Sequence, residues 1–66
     1  MDASSQLPVL GQATVMHDFI GEYHNELDLF VGNTVDILEQ DESGWWRGRV
    51  EGQTRIGFFP STFVQS

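Results

Sequence analysis

Two adjacent tryptophans, Trp45 and Trp46, closely follow an acidic segment that contains Asp41 and Glu42. Neighbouring residues of a β-strand point to opposite faces of a sheet, so one indole would face a core and the other would face solvent. An exposed indole beside carboxylates could bind a ligand that combines apolar surface with positive charge. The pair therefore indicates a recognition surface, although two rings that merely cover a small core would leave the same pattern.

The residues that could carry catalysis or bind a metal form no recognisable arrangement. The two histidines, His17 and His24, are predicted on a strand and on a loop, and their spacing matches no set of zinc ligands. No serine is placed as a nucleophile beside a base, and a chain of 66 residues rarely has a pocket of enzymatic depth. The chain has no cysteine, which excludes disulfides and thiolate metal sites. We therefore expect no catalytic residues, no metal and no cofactor.

The charged residues are strongly unbalanced. Ten acidic residues oppose three arginines, and the chain carries a net charge of −7. Nucleic acids and anionic membranes are bound by basic surfaces, so neither is an expected partner. The same charge favours basic partners, and the absence of cysteine fits a cytoplasmic location.

Short β-prone segments separated by turn residues run through the chain, and no segment has a sustained helical period. We predict strands at residues 13–18, 34–39, 45–51, 55–59 and 64–65. Gly48 lies inside a strand, which indicates that another element crosses close to it. Pro60 ends its strand, and one helical turn would let Phe63 swing back. The pattern predicts one small all-β barrel or sandwich at residues 13–65, after a flexible tail or linker at residues 1–12.

Five segments resemble, in order and approximate spacing, the motifs of the Src-homology 3 (SH3) domain family. They are residues 15–19 (VMHDF), 26–29 (ELDL), 31–33 (VGN), 44–48 (GWWRG) and 57–64 (GFFPSTFV). In the family these are the ALYDY segment, the end of the RT loop, the diverging turn, the strand after the n-Src loop and the G-x-F-P-S-N-Y-V segment. The resemblance implies an all-β, five-stranded barrel of two packed antiparallel sheets, with one short 3-10 turn near residues 60–63. It also implies a non-catalytic module that binds proline-rich peptides.

The resemblance indicates which residues would form the binding surface. A polyproline II helix has three residues per turn and no internal hydrogen bonds, so its stiff apolar edges can lie between aromatic side chains. By position in the motifs, the residues that would bind the peptide are His17, Phe19, Trp45, Pro60 and Phe63.

Acidic residues on two loops would select a basic residue in the ligand. Glu26 holds the matched position in the RT loop (residues 20–26), and Glu22 lies on the same loop. Asp41 and Glu42 lie on the n-Src loop (residues 40–44). The predicted partners are proline-rich segments with an Arg or Lys, bound by a monomeric domain of an adaptor, cytoskeletal or endocytic protein.

Three positions depart from the commonest family pattern. His17 replaces the first tyrosine of ALYDY, Phe63 replaces the final tyrosine, and Thr62 replaces the asparagine before it. Each change removes or moves a ligand hydrogen bond worth about 0.5–1.5 kcal/mol. Phenylalanine at the last position resembles the subset of the family that binds ubiquitin on the same face, so ubiquitin is an alternative partner. The hairpin at residues 52–57 is about two residues longer than the tightest family version, and we interpret it as a turn insertion distant from the binding surface.

Overall fold

The computed structural model describes residues 8–66 as five antiparallel strands and one 3-10 turn. The strands are β1 (Gly11–Val15), β2 (Thr34–Gln40), β3 (Trp45–Val50), β4 (Ile56–Pro60) and β5 (Val64–Gln65), and the 3-10 turn is Ser61–Phe63. They hydrogen-bond in the single order β4-β3-β2-β1-β5, which curls into a half-barrel. The predicted all-β, five-stranded fold with its 3-10 turn is confirmed. The described part of the chain contains no helix with the length and apolar character needed to cross a membrane.

Strand β1 begins two residues earlier than predicted and ends three residues sooner. Its register with β2 pairs Gly11 with Ile37 and Gln12 with Asp36. Glycine and glutamine have little strand preference, so the partner strand rather than the local sequence sets this start. The predicted tail at residues 1–12 therefore contains two residues of β1, and its residues 1–7 lie outside the described residues.

Strand β2 is the central strand of the sheet, and four consecutive residues of it, 35–38, are buried. Its pairing with β3 shifts register between Ile37 and Glu39, which marks a β-bulge. Simple alternation would bury only every second residue. Asp36 is buried on this strand because Gln12 and Arg49 cover it with hydrogen bonds of 2.8 Å and 3.2 Å.

The core is a small cluster of apolar side chains contributed by four strands and by residues 27–29. Its fully buried members are Val15, Leu27, Leu29, Val35, Val50 and Phe59. Gly48 lies against this cluster, and a methyl group there would meet the Asp36 carbonyl oxygen, the Phe59 ring and a Val35 methyl. The predicted close crossing at Gly48 is therefore confirmed, and the crowding explains why the position has no side chain.

Candidate functional site

Four aromatic rings lie in a continuous row on one surface of the barrel. The centroids of His17 and Phe63 are 5.9 Å apart, those of Phe63 and Phe19 are 5.7 Å apart, and those of Phe19 and Trp45 are 5.9 Å apart. All three contacts are edge-to-face, which is a favourable arrangement for aromatic pairs. We call this set, with the adjoining Pro60, the aromatic row.

The two tryptophans lie in different environments, as the alternation of the strand predicts. Trp45 is 39% exposed, whereas Trp46 is partly buried and packs against the core cluster. Trp45 is the first residue of β3 and pairs with Pro60, the last residue of β4. The Ser61 N–H donates to the Gly44 carbonyl at 2.8 Å and closes the loop immediately before Trp45. Gly44 has φ +95°, a conformation that glycine adopts without a steric penalty.

The other rings of the row are held by backbone hydrogen bonds. Phe19 exchanges two bonds with Leu29, of 2.9 Å and 2.7 Å, and this short bridge fixes one side of the RT loop. The 3-10 turn directs Phe63 back towards the start of the same loop. There, the Phe63 carbonyl accepts hydrogen bonds from the N–H groups of Met16 at 2.8 Å and His17 at 3.4 Å. Segments from both ends of the chain thus meet to build one surface.

The aromatic row is accessible without forming an enclosed pocket. His17 is exposed, and Phe19, Pro60 and Phe63 are half-buried, so each presents an edge to solvent. No closed cavity is found within residues 8–66. The row therefore offers ridges and shallow grooves, a shape that suits an extended chain better than a small molecule.

The predicted acidic residues lie on the two loops that adjoin the aromatic row. Glu26 is half-buried, and its Oε1 accepts hydrogen bonds from the N–H groups of Glu22 at 2.7 Å and Tyr23 at 3.3 Å. One carboxylate oxygen of Glu26 thus organises the tip of the RT loop. The Glu22 carboxylate belongs to an exposed residue of the same loop.

The n-Src loop supplies the other two acids. The Ser43 side chain and the Ser43 N–H, which donates to Asp41 Oδ2 at 2.9 Å, lower the pKa of the Asp41 carboxyl and keep it ionised. Asp41 and Glu42 are both exposed and lie in the turn that ends at Trp45. These two charges are therefore close in sequence to the exposed indole.

The three arginines are bonded elsewhere, which leaves these loop acids without a basic partner in the described part of the chain. Arg47 pairs with Glu39 at 2.9 Å and Arg49 pairs with Asp36 at 3.2 Å. Arg55 donates to backbone carbonyls rather than to a carboxylate. None of the four predicted loop acids therefore forms an ion pair within residues 8–66.

The sequence did not predict the contact between Arg55 and the RT loop. Its guanidinium donates to the carbonyls of His24 and Glu26, each at 2.8 Å. That residues 52–57 lie far from the binding surface stays a prediction, but Arg55 contacts the RT loop, whereas a methyl group added at Gly52 would meet no atom within 4 Å. No signal in the local sequence marks this contact. Within the loop itself, a methyl group at residue 21 would be only 2.7 Å from the Glu26 Cβ. A glycine required at that place shows that the two sides of the loop are tightly apposed.

The fold is a small curled β-sheet module, and it carries an exposed row of aromatic side chains on one surface. The family model described as "SH3 domain" matches residues 14–61 of this chain. The chain therefore belongs to the SH3 domain family, whose members are non-catalytic interaction modules.

Relatives and solved structures agree with this assignment. The chain is 43% identical over 54 residues to an SH3 and F-BAR domain-containing protein of Dictyostelium discoideum, covering 82% of this chain and 13% of that protein. It is 45% identical over 58 residues to the human guanine nucleotide exchange factor VAV3, covering 86% of this chain and 7% of that protein. A similar solved structure is the C-terminal SH3 domain of myosin IB from Entamoeba histolytica bound to an EhFP10(GEF) peptide. It has 35% identity, covers 82% of this chain and 86% of that one, and has a TM-score of 0.72. The chain thus spans 13% or less of the length of these two curated relatives.

Proposed function

We propose that this domain binds proline-rich segments in the polyproline II conformation and that the aromatic row is the binding surface. The observation that carries the proposal is the continuous edge-to-face row from His17 to Trp45, with its edges open to solvent. Exposed aromatic ridges can hold the apolar edges of a helix with three residues per turn. The similar myosin IB structure, which is bound to a peptide, supports a peptide as the type of ligand.

Within the row, two grooves would accept the peptide. The central groove would be formed by Phe19, Trp45, Pro60 and Phe63, and the outer groove would be formed by His17 and Phe63. The indole N–H of Trp45 would donate to a ligand carbonyl. Polyproline II is already stiff, so its binding costs little conformational entropy, and a small contact area can suffice. We expect a dissociation constant of about 1 μM to tens of micromolar, because the contact is below the ~1,200 Å² of stable interfaces.

The acidic loops would select a basic residue in the ligand and set its direction. Glu22, Glu26, Asp41 and Glu42 lie on loops on either side of the row, and none is paired with an arginine within residues 8–66. An exposed ion pair is worth about 0–1 kcal/mol, so this selection is modest for each pair. Several carboxylates together would steer a basic peptide to the surface and orient it.

The test is the affinity of a synthetic peptide with a PxxP core and one arginine, measured by isothermal titration calorimetry. Trp45→Ala should weaken binding by about tenfold or more, because it removes a central aromatic anchor. Phe30→Ala is the matched control, since Phe30 is an aromatic side chain 52% exposed and outside the row. This control should bind like the wild type. Equal affinity of the wild type and Trp45→Ala would refute the proposed surface.

Phe63 favours ubiquitin as a second candidate partner for the same surface. Its ring is half-buried in the row and has no hydroxyl, so an apolar patch could dock without burying an unpaired polar group. Titration of the domain with ubiquitin, followed by competition with the peptide, tests this candidate. Phe63→Tyr should weaken ubiquitin binding while it retains peptide binding. No chemical-shift change with ubiquitin would exclude this partner.

The domain would act as one module of an adaptor, cytoskeletal or endocytic protein in the cytoplasm. The two curated relatives named above are much longer than the matched segment, which is the observation that supports this setting.

A further inference from the structure

Arg55 makes two hydrogen bonds that connect the end of the hairpin between β3 and β4 to the base of the RT loop. The same Nη2 atom donates to the carbonyl oxygens of His24 and Glu26, at 2.8 Å each. Arg55 lies immediately before β4, which begins at Ile56. Phe58 of β4 also hydrogen-bonds to Asn25 of the loop and to Leu27 just after it. The bonds of Arg55 therefore add a contact with the loop just before the strand begins.

The carbonyls of four consecutive loop residues, 23–26, are all hydrogen-bonded, and Arg55 supplies half of the donors. The Tyr23 carbonyl accepts from the Glu26 N–H at 2.9 Å, and the Asn25 carbonyl accepts from the Phe58 N–H at 2.9 Å. The other two carbonyls, at residues 24 and 26, are those bonded by Arg55. No backbone N–H of the described residues donates to these two carbonyls, so the Arg55 side chain is their donor within the protein.

The backbone fixed in this way carries the carboxylate that was predicted to bind the ligand cation. Arg55 bonds the carbonyl of Glu26 itself, and the Glu26 side chain bonds the N–H groups of Glu22 and Tyr23. We propose that Arg55 is a positioning residue, which fixes the Glu26 carboxylate and so determines the preference of the domain for a basic residue in its ligand. This inference rests on the proposed function.

Arg55→Ala should change the affinity for a basic peptide in opposite directions, depending on whether Arg55 acts by positioning Glu26 or only through its charge. Arg55→Ala raises the net negative charge of the domain, and charge alone would make it bind a basic peptide more tightly. Loss of positioning has the opposite effect, because a mobile Glu26 pays more entropy to meet the ligand cation. Arg47→Ala is the matched control: it makes the same change in charge, but Arg47 contacts Glu39 and not the RT loop.

The first measurement uses the free domain and needs no ligand. Backbone 15N relaxation should show order parameters for residues 21–26 that fall in Arg55→Ala, from about 0.85 towards 0.6, and that remain high in Arg55→Lys and Arg47→Ala. Lysine retains the charge and can donate to the same carbonyls. Unchanged order parameters in Arg55→Ala would overturn the proposal. If Arg55→Ala does not fold, the same comparison is made with Arg55→Gln.

The second measurement compares a PxxP peptide containing one arginine with the same peptide in which citrulline, a neutral isostere, replaces that arginine. The wild type should prefer the arginine peptide about twofold to fivefold, which corresponds to an exposed ion pair of about 0.4–1 kcal/mol. In Arg55→Ala the ratio of the affinities for the arginine and citrulline peptides should approach one. The affinity for the citrulline peptide should change by less than about twofold. Arg47→Ala should retain the preference of the wild type for the arginine peptide. A preference that persists in Arg55→Ala would overturn the specificity role. Failure of the wild type to bind either peptide would refute the proposed function, and the relaxation data would still decide whether Arg55 fixes the loop.

Discussion

Replacement of Gly48 by alanine tests whether β2 and the side chain of Phe59 approach β3 at this residue as closely as the structure indicates. A methyl group at this position would meet the Asp36 carbonyl oxygen of β2, which cannot move without disturbing the central ladder. It would also lie 3.0 Å from the Phe59 ring and 3.0 Å from a Val35 methyl. Both of these side chains have 0% exposure and no free space into which to move.

The magnitude follows from two opposing effects. Overpacking of a core costs about 1–3 kcal/mol, and contact with a fixed backbone atom places Gly48→Ala in the upper part of that range. Alanine also lowers the conformational entropy of the unfolded chain, which stabilises the folded state by about 0.4–1 kcal/mol. The expected net loss is about 2 kcal/mol, which corresponds to a fall in Tm of about 8–16 °C for a domain of this size.

Urea denaturation at neutral pH, with thermal melts followed by circular dichroism, measures this change. Gly11→Ala is the matched control, because Gly11 lies in β1, has no atom within 4 Å of an added methyl and has a negative φ. The control should be within about 1 kcal/mol of the wild type and on the stabilising side. Equal stability of Gly48→Ala and the wild type would refute the close crossing.

Three further predictions follow from the same structure. Trp46→Ala should lower the free energy of unfolding by about 2–3 kcal/mol, less than for a fully buried tryptophan, and a denaturation curve like that of the wild type would contradict its packing against the core. The Gln12 amide and the Arg49 guanidinium hold the pKa of Asp36 below its ordinary value of about 3.9, although burial opposes them. This stabilisation is complete above about pH 4 and is lost as the pH falls through the lowered pKa, so the loss of stability between pH 5 and pH 2 should be smaller in Asp36→Asn. Peptide affinity should fall as salt rises from about 50 mM to about 500 mM, and a constant affinity would exclude steering by the acidic loops.

The parts of the fold that short motifs specify were predictable from the sequence. The segment GWWRG determines that Trp45 and Trp46 occupy opposite environments, because strand geometry alone requires it. The segment GFFPSTFV contains the proline that ends β4 and the turn that returns Phe63 to the row. In both cases neighbouring residues carry the information. The membership of the aromatic row, which joins distant segments, was implied instead by the resemblance of these motifs to the family.

Features that depend on distant partners were not predictable in this way. The start of β1 is set by its pairing with β2, and the four buried residues at 35–38 depend on a register shift against β3. The hydrogen bonds of Arg55 span long sequence separations: His24 lies 31 positions before it and Glu26 lies 29 positions before it. Nothing in the local sequence of Arg55 distinguishes it from a solvated arginine, since its role depends on where the RT loop lies.

The central claim is that the row from His17 to Trp45 is the surface that contacts the ligand, and its most direct test is mapping of chemical shifts. A 15N-labelled domain is titrated with the PxxP peptide that contains arginine, and the indole N–H and backbone amide resonances are followed. The account predicts saturable shifts of the Trp45 indole and of the amides of residues 17, 19 and 63, with the Trp46 indole much less affected. Shifts confined to the hairpin around Gly52, with the Trp45 indole unchanged, would contradict it.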